Sequence, residues 1–136
     1  MDSAMLDAFG LRVLDRDECL ALLATAEVGR VVFTQRGLPA VQPVKFVVWR
    51  DSVWFPAQAR TDLYGSADDG VVAFEADAFD EDVETGWWVT VLGRASAIAE
   101  CDLPSRRPEL SWRLPPGADV RCVRIPMEVV SGRRIG

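Results

Sequence analysis

Val31-Val32-Phe33-Thr34-Gln35-Arg36-Gly37-Leu38-Pro39-Ala40-Val41-Gln42-Pro43-Val44-Lys45-Phe46-Val47-Val48-Trp49 decides the fold class of this chain. β-branched and aromatic residues dominate it, and Gln35-Arg36-Gly37 interrupts it as a hairpin signal. Residues 31–34 therefore read as one strand and residues 39–49 as the next. In the second strand Val41, Pro43, Lys45 and Val47 point one way, and Gln42, Val44, Phe46 and Val48 point the other. Pro43 has no N–H to give to a ladder, which predicts an open edge or a bulge there.

The pattern differs on the N-terminal side. Residues 1–13 read as a lead-in. Asp15 with Glu18 three residues later is a capping box. Cys19, Leu22, Leu23 and Ala26 follow at the i, i+3, i+4, i+7 spacing of one helix face, predicting a helix over 16–26. On the C-terminal side strands return. Arg50-Asp51 turns the chain into a strand over 52–57, and Thr61–Ala67 reads as a short helix ended by Asp68-Asp69-Gly70. Val71–Ala76 is a nearly continuous apolar run, which predicts burial on both faces. Residues 77–86 read as a solvated acidic loop, and Trp87–Glu100 as the longest strand. Residues 102–119 hold four prolines and read as an irregular connection. Val120–Val130 is the last strand, with Pro126 at a bulge or edge. Six strands joined mostly as antiparallel hairpins, with one or two short helices, point to a mainly β barrel or sandwich rather than a parallel sheet.

Composition narrows the chemistry. The 136 residues fit one domain, and at 49% hydrophobic the chain can bury a core of its own. No apolar run reaches the ~18 residues that span a bilayer, and the acidic N-terminus is no signal peptide. We therefore expect a cytoplasmic protein with no membrane partner. Net charge is −6, and the fourteen arginines form no basic stripe, which argues against nucleic acid. The chain has no histidine, so histidine-dependent triads and histidine-ligated zinc or haem are excluded. Cys19, Cys101 and Cys122 are far apart and are expected to be reduced and buried. Aspartates and glutamates between Glu75 and Glu84 lack the spacing of a calcium loop. Arg94 and Arg124, in strands, are expected to be structural partners.

Several segments together resemble the pyridoxamine 5′-phosphate oxidase-like flavoproteins. They are Val28–Phe33, Leu38–Val44, Val53-Trp54-Phe55, Val71–Glu75, Gly86–Val91, Gly93-Arg94-Ala95, Val123–Pro126 and Ser131–Ile135. Each is weak alone, but they follow in the expected order over about residues 12–135. The resemblance implies a six-stranded antiparallel split β-barrel and a homodimer with two flavin sites across its interface. It implies FMN or the deazaflavin coenzyme as cofactor and a small molecule as substrate. In relatives the segment matching 42–48 and that matching 53–63 hold the isoalloxazine and phosphate. The segment matching Gly86-Trp87 comes from the other subunit. Carried over, the candidate cofactor contacts are Pro43, Val44, Lys45, Phe46, Phe55, Pro56, Ala57, Arg60, Thr61, Asp62, Leu63, Trp87 and Trp88.

The cofactor would do the redox step and the protein would position it, so no catalytic side chain is named. Two consecutive tryptophans face opposite ways in a strand, so at most one of Trp87 and Trp88 faces the interior. Where relatives show Phe-Arg-Thr, a Gly and Thr-Lys-Leu, this chain has Phe55-Pro56-Ala57, Arg60 and Thr61-Asp62-Leu63. Two cations are replaced and one is added. Lys45 stands where relatives often have Asn; it either meets a flavin or ligand anion, or it snorkels to solvent or pairs with an acid. The alternative reading is a member that has lost standard flavin binding and serves as a small-ligand binder or dimeric interaction protein.

Overall fold

The computed structural model describes residues 5–99 and 119–136. Its elements in chain order are β1 (Arg12–Val13), α1 (Arg16–Leu23), β2 (Val28–Gln35), β3 (Leu38–Lys45), β4 (Val47–Trp49) and β5 (Ser52–Gln58). They continue with α2 (Asp62–Ala67), β6 (Val71–Asp80), β7 (Thr85–Arg94), β8 (Ser96–Ile98), β9 (Val120–Pro126) and β10 (Val129–Ile135). The strands form a six-stranded sheet in the order β1-β10-β7-β6-β2-β3 and a four-stranded sheet in the order β4-β5-β9-β8. Every pairing is antiparallel. The mainly β split-barrel architecture with two short helices is as the sequence predicts.

The two sheets share strands that bend from one to the other. Residues 38–49 leave the large sheet at Phe46, residues 85–98 leave it at Ala95, and residues 120–135 enter it after Met127. Such sheet-switching strands make the corners of an orthogonal β-sandwich or barrel. They explain why three predicted long strands, 39–49, 87–100 and 120–130, are each divided. Hydrophobic alternation carries no sign of a bend, because the side chains on both arms still point inward. Glu100, Cys101 and the Pro-rich connection over 102–118 lie outside the described residues.

Hairpin chemistry is explicit. Gln35 faces Leu38 across a two-residue turn whose Arg36 and Gly37 both have positive φ (53° and 77°), the type I′ geometry that matches strand twist. Arg50 and Asp51 repeat it between β4 and β5 at φ 50° and 56° without any glycine. Stacking of the Arg50 guanidinium 4.4 Å over the Trp49 ring accompanies that strained turn. The acidic stretch 77–86 is a hairpin rather than a loop: β6 runs to Asp80 and pairs with β7 out to Thr85. Its charges sit on an exposed ladder, so period-2 pairing outlasts the apolar run. Val71–Ala76 is fully buried only at Val72, Phe74 and Ala76; the opposite face of β6 turns outward.

α1 has the predicted capping box. Asp15 accepts from the Glu18 N–H at 2.8 Å, and Glu18 accepts from the Asp15 N–H at 3.2 Å. The helix ends at Leu23, where Ala24, Thr25 and Ala26 close by turn-type bonds to Leu20, Leu22 and Leu23. The main core joins both sheets and α1 through Leu23, Val31, Phe55, Phe74, Val89, Val91, Val123 and Ile125, all fully buried. Ser52 is the one buried polar residue among those described, and its hydroxyl accepts from Arg124 Nε at 3.0 Å. Arg94 pairs with Asp69, so both strand arginines have partners within the fold. Cys19 is free and buried, as expected, and burial first, then Asp15 and Glu18, pushes its thiol pKa up. Cys122 is disulfide-bonded, contrary to the expectation of a reduced thiol.

Candidate functional site

β3 is the outer strand of the large sheet, so the open edge predicted at Pro43 is present. Pro43 stands opposite Arg30 and is exposed; its missing N–H costs no ladder bond at an edge. Val44 turns inward and is buried, and Lys45 is half-buried opposite Val28. Phe46 sits at the corner. Its N–H donates to Glu27 O at 3.2 Å, and its ring meets Phe74 edge-on at 4.7 Å.

β5 supplies the second part. β4 pairs with β5 only over Ser52–Trp54, whereas β9 pairs along its whole length. Past Trp54 the other edge of β5 therefore has no strand partner among the described residues, and β3 comes near it. Phe55 and Ala57 face the core, while Pro56 is half-buried on the opposite face. Proline is tolerated here because the ladder on that side has already ended.

The following turn carries Arg60, Thr61 and Asp62. Thr61 is the N-cap of α2: its hydroxyl accepts from the Tyr64 N–H at 3.3 Å and donates to Gln58 O at 2.7 Å. Leu63 anchors the helix in the core. Asp62 is exposed, and its carboxylate accepts from Gln35 Nε2 at 2.6 Å, bracing the helix against the end of β2. Arg121, opposite Ala57 on β9, pairs with Asp119 at 3.0 Å and lies 6.0 Å from the Tyr64 ring centre. Hydrogen bonding from Arg121 lowers the Asp119 carboxyl pKa, and the charges of Arg121 and Arg60 add to the effect.

Trp87 lies elsewhere. It is 8% exposed on the inner face of β7, whereas Trp88 is half-buried on the outer face 6.4 Å from the Phe79 ring. The alternation expected of adjacent tryptophans is realised. Gly86 and Trp87 open onto a cleft of about 320 Å³ that also takes in Phe79, Thr85, Arg134 and Gly136. None of residues 43–63 lines that cleft. The structure thus brings 43–46 and 55–63 to one region and leaves Trp87 with the C-terminal strand. Sequence reading missed Gln35, Tyr64 and Arg121. It reads Arg134 as a surface charge on a tail that in relatives can approach the site; the structure places it on β10 opposite Trp87, lining the cleft.

A family model described as pyridoxamine 5′-phosphate oxidase matches residues 15–134. The chain belongs to that family. A Mycobacterium tuberculosis protein, uncharacterized protein Rv0080, is 39% identical over 127 residues, covering 90% of this chain and 84% of the relative. The FAD binding protein from Mycobacterium smegmatis superposes with a TM-score of 0.70 at 30% identity, over 91% of this chain and 97% of that one. A conserved protein of unknown function from Corynebacterium diphtheriae gives a TM-score of 0.71 at 27% identity, over 93% and 98%.

The described residues fit a flavin unevenly. A flat ring needs apolar walls and unpaired main-chain groups; the open edges of β3 and β5 offer the main-chain groups, whereas Phe46 and Phe55, expected as walls, are buried in the core and present no face to a ring. The phosphate end is less suited. Pro56 donates nothing, Asp62 is an anion tied to Gln35, and the guanidinium of Arg121 is tied to Asp119. No helix of the described residues is long and apolar enough to cross a membrane.

Proposed function

We propose that this protein is a flavin-binding homodimer that carries out redox chemistry on a small molecule, with each flavin site completed by the second copy. The observation that carries the reading is the separation of the two groups of candidate contacts. Within one protomer the cleft at Trp87 and Arg134 includes nothing from residues 43–63. A site drawing on both groups takes one from each protomer, the arrangement the family resemblance implies. The FAD binding protein from Mycobacterium smegmatis supports a flavin in a chain of this fold. A histidine-free chain is compatible with this activity because the cofactor supplies the electron chemistry.

The test is direct. The purified protein is titrated with FMN, FAD and the deazaflavin coenzyme while its visible spectrum and sedimentation are followed. Saturable binding of one of them, at one per protomer of a dimer, is the expected result. No binding of any of the three overturns the flavin reading. A second reading is favoured by the Asp62–Gln35 contact, 2.6 Å long, where relatives place a lysine. In that reading the family member serves as a small-ligand-binding or dimeric interaction protein without flavin. Dimerisation with no flavin uptake is its signature.

A further inference from the structure

The outer face of the large sheet is unusually apolar for a solvated surface. Register and alternation place Val41, Val32, Ala73, Leu92 and Val129 in one row across five strands. Val41 is 63% exposed and Val129 55%. A contiguous apolar patch of this kind marks an interaction surface. In the next row Pro43 is followed by four polar residues, Arg30, Glu75, Thr90 and Ser131. In it one guanidinium nitrogen of Arg30 lies 3.2 Å from Glu75 and 3.2 Å from Asp77, two residues further along β6. The face therefore carries charges of both signs within an apolar frame. That is the self-complementary pattern a two-fold interface requires, because each patch meets its own copy.

In the cluster a single guanidinium nitrogen of Arg30 is shared by two carboxylates. From β3, Lys45 stands on the same face opposite Val28. From β7 come Trp88 and Thr90. From β10 comes Arg133, whose Nε is held by Asp7 at 2.9 Å. Two carboxylates two residues apart on one strand repel each other, and covering them removes the water that screens this repulsion, so the pair takes up a proton. We propose that two copies of the chain associate through this face with uptake of a proton by the Glu75–Asp77 pair of each protomer, so that self-association is controlled by pH. This inference rests on the homodimer reading above.

A second fact about the chain sharpens it. With no histidine, nothing ordinary titrates between about pH 6 and pH 7.5 apart from the foot of the α-amino group. Within one protomer burial already pushes the Glu75 carboxyl up to about 7, the hydrogen bond and charge of Asp77 adding to this and Arg30 opposing it. Proton uptake near neutrality is thus traceable to one site.

The experiment is sedimentation velocity over a concentration series at pH 6 and pH 8, on the whole chain and on Glu75→Gln. Uptake of one proton per protomer makes the dimer dissociation constant rise by up to about a hundredfold per pH unit above neutrality. We expect a rise of at least roughly tenfold from pH 6 to pH 8 in the parent and none in Glu75→Gln, which stays dimeric at both. If the dimer is too tight to dissociate, exchange between tagged and untagged protomers is timed instead, and it should be faster at pH 8. Equal dissociation constants or exchange rates at the two pH values, or a pH effect that survives in Glu75→Gln, overturn the proton linkage and leave the dimer intact. A monomer at every pH overturns the dimer itself.

Discussion

Adding a single methyl group at Gly93 should cost more stability than almost any surface change. Gly93 lies on β7 just before the corner at Ala95, against the end of β9. A Cβ built there meets the Pro126 carbonyl oxygen at 2.0 Å and Ile125 Cγ2 at 3.1 Å. A comfortable C···O contact is about 3.3 Å, so backbone must shift by roughly 1.3 Å. The group in the way is a main-chain oxygen at a strand end and cannot rotate aside. Overpacking a core costs about 1–3 kcal/mol, and a backbone obstruction puts Gly93→Ala near the top, at about 3 kcal/mol. For a domain of this size that is a fall in Tm of about 10–15 °C. Gly65→Ala is the control. Gly65 lies inside α2 with nothing within 4 Å of its notional Cβ, so it should gain up to about 1 kcal/mol from helix propensity alone. Urea titration with an unchanged m-value reads both. A Gly93→Ala midpoint within about 0.5 kcal/mol of the parent would refute the reasoning that these two strands are locked at the corner. The same corner sets where β10 enters the large sheet, and with it the position of Arg134 in the cleft beside Trp87.

Three other outcomes follow from particular contacts. Asp62→Lys removes an anion from the phosphate end and restores the cation relatives carry, so FMN should bind about tenfold to a hundredfold more tightly, while riboflavin, which has no phosphate, should not change; competitive fluorescence titration of the two checks it. Glu75 has a folded-state pKa raised to about 7 from 4.5, so the folded state holds that proton more tightly than the unfolded chain. Its contribution is present below about 4.5 and is lost as pH rises to about 7. Glu75→Gln should therefore melt above the parent at pH 8, with the difference closing towards pH 5. Asp51→Gly relieves a left-handed conformation in the β4–β5 turn, φ 56°, and should stabilise by about 1 kcal/mol in chemical denaturation.

The fold was legible where local chemistry and period agree. The Asp15–Glu18 box and the Arg36-Gly37 turn each rest on atoms a few residues apart, and both elements formed as read. Division of the long strands was legible only at Pro126, read as a bulge or edge, which ends β9 beside the corner at Met127. Phe46 and Ala95 are corners because of what they pack against in the other sheet, and no residue beside them announces a break. The hairpin over 77–86 was missed for a related reason. Acidic residues are poor strand formers in isolation, but Asp77 to Asp80 are held by pairing with Trp88 to Thr85 on β7.

The candidate site divides along the same line. Residues 43–46 and 55–63 are close in sequence, and the β3 edge and β5 bring them near each other, so reading along the chain can group them. What decides their chemistry comes from across the sheets. Gln35 engages Asp62 from a separation of 27 residues, and Arg121 faces Ala57 from 64 positions away, occupied by Asp119. A cation counted along a chain is a free charge. In the fold it belongs to whichever carboxylate the register places beside it. On this basis the departures at Pro56 and Asp62 weigh more than a change of two residues suggests. In the described residues around them, Arg121 and Asp62 already have partners. A ligand phosphate would have to displace those contacts as well as the water around them.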